Sequence, residues 1–153
     1  MKAIGITAFV LAGWITATSW ATPSVPPAPV VDTATLPTLA PGWAVTNPYR
    51  GNADAAGVGR DAFNQSCARC HGVDANGSGA AAPDLRRLGL ACGRVRDDAL
   101  KQRCLADVDH YFVQSVLKGK TRFGVEHMPA WEGVLEPNLI WSLKSFIDTQ
   151  GRR

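Results

Sequence analysis

Apolar positions near the end of the chain recur with the period of a helix. In "EPNLIWSLKSFIDTQG", Leu139, Ile140, Leu143, Phe146 and Ile147 form one stripe. Pro137 stands where the first helical residue belongs, and Gly151 lies just past the last. Upstream, "DDALKQRCLADVDHYFVQSVLKG" spaces Leu100, Cys104, Val108, Phe112 and Val116 at near-helical intervals. Asp97 and Asp98 suit the electropositive start of that helix and Gly119 its stop, with a break expected near Ala106. A further helix is predicted from about Val58 to Cys67. There Phe63 and Cys67 share a face, and Gly59 lies on it one turn earlier. A helical glycine costs roughly 0.5–1 kcal/mol, and close approach of a second helix is a reason to keep one. Neither a strand pattern nor an internal repeat is visible. The class predicted is all-α, three or four helices with long loops. Those loops are "GVDANGSGAAAPDLRRLG", with turns at Asn76-Gly77 and Ser78-Gly79, and "KTRFGVEHMPAWEGV".

The first residues read differently. "MKAIGITAFVLAGWITATSWA" has a lysine, an apolar run and a small-x-small end at Ser19-Trp20-Ala21. That is the layout of a secretory signal peptide cut after Ala21, with an uncleaved anchor as the alternative. Cleavage would remove Met1 and leave Met128 as the mature chain's methionine. From Thr22 to about Pro41, six prolines in twenty residues prevent a helix and predict an extended, polyproline-II-like leader. Trp43 and Tyr49 in the next turn-rich stretch suggest that it lies on the domain. The expected organisation is a signal peptide over 1–21, a leader and extension over 22–54, and one domain over 55–153. The mature protein is expected to be soluble and periplasmic, where disulfides are permitted.

At 153 residues the chain suits one domain, and its net charge of +3 comes without any run of Lys or Arg. No nucleic-acid partner is implied.

The chemistry is concentrated in "CARCH", Cys67-Ala68-Arg69-Cys70-His71. A thioredoxin-like pair would need a βαβ context. Zinc would need four ligands, and the other cysteines lie beyond position 90 without the usual two-pair spacing. A Cys67–Cys70 disulfide would leave His71 unexplained. Covalent haem attachment accounts for all three residues. Two thiols at this spacing can add to the two vinyl groups of haem, and the next residue then carries its imidazole under the ring to the iron. The remaining parts can be sought in the chain. The Pro83 carbonyl in "APDL" can fix the second ring nitrogen of His71. Met128, in "HMPAW", is the first candidate for the sixth ligand, with His127, His110 and an open face as alternatives. Thioether ligation favours ferrous iron and raises the potential. With both axial positions filled, the expected role is electron carriage rather than chemistry at the iron.

On these residues the chain resembles class I c-type cytochromes over about 55–150. Gly59 and Phe63 fall where that family's first helix packs against its last, here at Leu143 and Phe146. Cys67, Cys70 and His71 match the haem signature, Pro83 and Leu85 the proline-x-leucine that supports the histidine and covers the ring, and Met128-Pro129 the sixth-ligand loop. "TNPYR", "FNQSCARCHG", "APDLR", "CLADVDHYF", "VLKGKTR" and "MPAWEG" together resemble a narrower group. These are the soluble periplasmic cytochromes that accept electrons from PQQ-dependent (quinoprotein) alcohol dehydrogenases. The resemblance implies one haem c, such a dehydrogenase as donor, and a terminal oxidase or another cytochrome as acceptor.

Cys92 and Cys104 are left over, and two thiols in an exported chain are expected to pair. Lys118, Lys120 and Arg122 precede the Met128 loop and could steer an acidic partner. A monomer is expected. The competing readings are a general donor to an oxidase, and a haem enzyme or gas sensor in which Met128 is displaced.

Overall fold

The computed structural model describes residues 26–77 and 82–151, so the predicted signal segment lies outside the described residues. Helix α1 spans Ala53–Ser66, and the short helical turn α2 spans Ala68–His71. The long helix α3 spans Asp98–Lys118, strands β1 and β2 span Lys120–Arg122 and Val125–Met128, and helix α4 spans Pro137–Gln150. Between α2 and α3 the chain makes 3-10 turns at Val73–Ala75, Leu85–Arg87 and Cys92–Arg94. The fold is all-α with long loops, as the periodicity predicts.

Helix α4 is the centre of the core. Leu139 through Ile147 are all buried, polar members included. Its inward stripe meets α1, which crosses so closely that a Cβ on Gly59 would collide with the Ser142 carbonyl and lie 2.9 Å from the Leu143 nitrogen. Phe63 packs against Phe146 in the same contact, with tilted rings and 5.2 Å between ring centroids. Burying each ring contributes about 2 kcal/mol, and the pair adds about 1 kcal/mol.

The buried serines and the lysine of α4 have named partners, whereas the Trp141 Nε1–H is buried without one among the described residues. Ser145 Oγ donates to the Tyr49 carbonyl (3.0 Å) and accepts from Asn47 Nδ2 (3.0 Å). Lys144, 1% exposed, faces Asp109 of α3 at 3.3 Å and Asp148 at 2.5 Å. Arg50 bridges the same two carboxylates from the N-terminal loop, at 2.5 Å to Asp109 and 2.8 Å to Asp148. Asp109 also accepts from the Asn47 N–H at 2.7 Å.

Four sequence expectations need correction. Helix α1 starts at Ala53, ahead of Val58, because the Asn52 side chain caps it by accepting from the Ala55 N–H (3.0 Å). Helix α3 runs unbroken through Ala106; Asp97 caps its start, and the polar Asp109 in its middle is an ion-pair site, not an end. Leu100 is 55% exposed, so the apolar stripe of α3 begins only farther along. Strands exist: Lys120 to Met128 form an antiparallel hairpin. Lys120 to His127 are exposed and Met128 alone turns toward the core, so the pair carries no alternation to read.

The proline-rich leader is also seated where it is described. Val30 and the Gln65 amide exchange two hydrogen bonds (2.9 and 3.0 Å), replacing the strand or helix partners that prolines deny the backbone. Val31, Leu36 and Leu39 pack against the core, and the Tyr49 hydroxyl donates to the Pro37 carbonyl. Trp43 lies edge-on to Trp141, at 6.0 Å.

Candidate functional site

Helix α1 delivers Cys67 as its C-cap, with the Cys67 N–H bonded to the Phe63 carbonyl at 2.8 Å. The chain then winds one more turn. The N–H groups of Cys70 and His71 both donate to the Cys67 carbonyl, at 3.1 and 3.0 Å. Gly72, at φ 75°, ends the turn. The motif is therefore a compact helical corner with Cys67 half-buried, Cys70 exposed and neither in a disulfide. Burial, with a smaller contribution from Cys70, pushes the Cys67 thiol up to about 12. A redox-active or nucleophilic pair has the opposite character, a depressed thiol.

The His71 ring turns inward, 6.5 Å from the Phe63 ring. Its Nδ1 lies 3.4 Å from the Pro83 carbonyl. With Nδ1–H donating there, Nε2 is the lone-pair nitrogen. Burial holds the imidazole below its ordinary value, opposed in part by the Pro83 bond, so the ring stays neutral at neutral pH.

His71, Cys67 and Phe63 form one side of an apolar pocket. Leu85, from the turn after Pro83, and Leu143, from α4, are part of its lining. The remainder comes from Phe112 and Val116 of α3, from Met128, and from Trp131 and Leu135 beyond it. The Met128 segment is pinned to the end of α3. The Trp131 N–H reaches the Val116 and Leu117 carbonyls (3.1 and 3.2 Å), and the Glu132 N–H reaches Leu117 (3.1 Å). His127 is exposed on β2, and His110 is exposed on α3.

Among the described residues no group of three or more His, Cys, Asp or Glu could hold a bare metal ion. The donors that meet here are one neutral imidazole and one thioether, in a pocket otherwise lined by hydrocarbon and the Cys67 sulfur. That set suits an apolar macrocycle carrying its own metal, with thiols beside it for covalent attachment. The residues present therefore fit haem c. Among the described residues the structure brings together Cys67, His71, Pro83, Leu85, Met128 and Leu143, with Cys70 on the outer side of the same turn. Phe63 also lines the pocket, while Gly59 and Phe146 sit behind it in the α1–α4 contact. Cys92 and Cys104 are bonded to each other, with 5.6 Å between Cα atoms. Sequence reasoning missed Phe112, Val116, Trp131 and Leu135 as pocket walls. The first two were legible as members of the α3 stripe, but nothing in a stripe says what covers it.

The family model described as cytochrome c oxidase, cbb3-type, subunit III matches residues 54–147. Cytochrome c550 of Pseudomonas aeruginosa is 35% identical over 123 residues, covering 78% of this chain and 74% of that one. No solved structure matches the chain. The family match runs from the first turn of α1 to Ile147 in α4, so it contains the pocket entire. The chain belongs to this cytochrome c family and is a monohaem c-type cytochrome, an electron carrier with covalently bound haem c.

Proposed function

We propose that the protein is a periplasmic carrier that takes single electrons from a PQQ-dependent alcohol dehydrogenase and passes them toward a terminal oxidase. In this reading Cys67 and Cys70 form the two thioether links, and His71 and Met128 are the axial ligands. Pro83 holds the His71 tautomer by accepting from Nδ1, and Leu85 and Leu143 exclude water from the ring. Bound haem c supplies a one-electron iron couple. The observation that carries the reading is that His71 and Met128 line one apolar pocket. Two ligands that stay in place through both oxidation states leave no position for O₂ or substrate. Thioether donation from Met128 raises the potential.

The dehydrogenase as donor is supported by the motif set, whose separated pieces meet in space. Asn47 and Arg50 of "TNPYR" bind Asp109 of "CLADVDHYF". Export is supported by the signal-like segment and by the Cys92–Cys104 bond, since disulfides persist in oxidising compartments. Among the described residues no helix is long and apolar enough to cross a membrane. The cytochrome domain is taken as 55–153, although the structure packs residues 30–52 onto it. Stopped-flow mixing of the oxidised protein with a purified, substrate-reduced quinoprotein alcohol dehydrogenase tests the donor. Second-order reduction is expected, and its absence would remove this donor.

A second reading, a donor to or component of an oxidase with no dehydrogenase link, draws on the cbb3-type description of the matching family. Oxidation by a cbb3-type oxidase without reduction by the dehydrogenase would favour it.

A further inference from the structure

The hairpin from Lys120 to Met128 ends in an unusual tip. Its register pairs Arg122 with Val125, so the loop is two residues long, Phe123-Gly124. Both have positive φ, 50° and 77°. That is the backbone of a turn favouring Asn-Gly, and a bulky side chain at its first position is strained. Phe123 is also fully exposed. Neither its conformation nor its burial contributes to the stability of this fold, and strain without a structural return is a mark of a functional position.

The surroundings have one chemical character. Lys118, Lys120 and Arg122 are exposed, and Val125 and Tyr111 are 59% and 57% exposed. Lys120 Nζ sits 4.7 Å above the Tyr111 ring. The hairpin's carboxylate, Glu126, is paired across from Thr121. At its foot Lys120 pairs with Met128, the proposed sixth ligand. Three strand residues separate foot from tip, roughly 10 Å at strand rise. A partner seated on the tip is therefore within a short span of the haem pocket.

We infer that Phe123 is an aromatic anchor by which the protein docks an electron-transfer partner protein, one whose surface carries an apolar socket rimmed by carboxylates. The inference rests on the carrier reading and adds the docking determinant to it. A single aromatic in a desolvated socket is the usual form of an interface hot spot, and the cations around it would set the approach. A lipid surface is a poorer fit, because interfacial binding scales with a broad apolar face and this tip offers one ring.

The test uses the holoprotein and two variants, Phe123→Asn and Arg122→Glu. Asparagine suits the turn, so Phe123→Asn is expected to keep the spectrum, the potential, the melting temperature and the rate of reduction by ascorbate. Electron exchange is measured with the quinoprotein dehydrogenase and with a cbb3-type oxidase across ionic strength. Phe123→Asn should slow exchange with a competent partner about tenfold at every salt concentration. Arg122→Glu should instead slow it mainly at low salt. If the wild type exchanges with the oxidase but not the dehydrogenase, the proposed donor fails while the anchor is still scored on the oxidase. Equal rates for wild type and Phe123→Asn, or no exchange with either protein, overturn the anchor. Phosphatidylglycerol vesicles are the control: Phe123-dependent vesicle binding with unchanged electron exchange would assign the tip to a membrane and overturn the proposal.

Discussion

Gly119 and Met128 meet backbone to backbone. A Cβ on Gly119 would strike the Met128 carbonyl and lie 2.8 Å from both the Pro129 carbonyl carbon and the Ala130 nitrogen. Gly119 is also at φ 64°, ψ −164°, a region that side chains scarcely enter. The end of α3 therefore sets where the proposed sixth ligand can stand. Gly119→Ala should destabilise the holoprotein by at least about 2 kcal/mol in urea unfolding. It should also weaken the sulfur-to-ferric charge-transfer band of the oxidised form. Lost stability with an intact band would mean that Gly119 shapes the helix end without placing Met128.

The companion contact, Gly59 against Ser142, was readable in the sequence. A glycine sharing a helix face with Phe63 costs propensity, so a close helix crossing was predictable, and α4 supplies it. The "CARCH" corner, the Pro83 carbonyl and the Met128 loop were readable as parts because each needs a specific residue type at a specific offset. Features fixed by long-range partners were not. Asp109 looks like a surface residue of α3 until Arg50 and Lys144, from 59 and 35 positions away (109 − 50; 144 − 109), reach it. The β1–β2 hairpin shows no apolar alternation because Lys120 to His127 lie exposed, and Phe-Gly is not a familiar hairpin dipeptide. The leader's seat depends on Gln65, whose side chain carries no sign in sequence that it will serve as a partner for Val30.

Those buried charges give a second prediction. Asp109 is fully buried, and Lys144 is 1% exposed. Asp109→Asn keeps an acceptor for the Asn47 N–H but leaves Lys144 and Arg50 with Asp148 as their shared carboxylate. Removing one partner of such a network costs about 3–5 kcal/mol. The double variant Asp109→Asn, Lys144→Met should recover part of that loss, because no unpaired cation remains. Urea unfolding of the two singles and the double closes the cycle. Additive losses would show that Asp109 and Lys144 are not coupled.

The Cys92–Cys104 bond, with a sequence separation of 12, ties the start of α3 to a buried cysteine in the preceding 3-10 turn. Leu100 and its neighbours there are exposed, so little apolar contact holds this end. Replacing both cysteines by alanine should cost about 3 kcal/mol on the loop-entropy estimate. Hydrogen exchange should accelerate over residues 98–105 and hardly at all in α4. The absorption spectrum should be unchanged, since neither cysteine lines the pocket. Uniform acceleration across the molecule would show instead that the bond supports the whole core.

Met128 is tested against its own neighbour. Met128 lines the pocket, whereas His127 is exposed on the strand immediately before it. A one-residue slip of β2 would exchange their faces, since successive strand residues point in opposite directions. The irregular register between Lys120 and Thr121 lies across from this point. The pinning of Trp131 and Glu132 to the Val116 and Leu117 carbonyls opposes such a slip. Met128→Ala should therefore lower the potential, abolish the charge-transfer band and let the ferrous protein bind CO at neutral pH. His127→Ala should leave all three readouts as in the wild type. If His127→Ala and not Met128→Ala moves the potential, the hairpin presents an imidazole to the iron, and thioether ligation is wrong. If neither does, the sixth position is not filled from this loop.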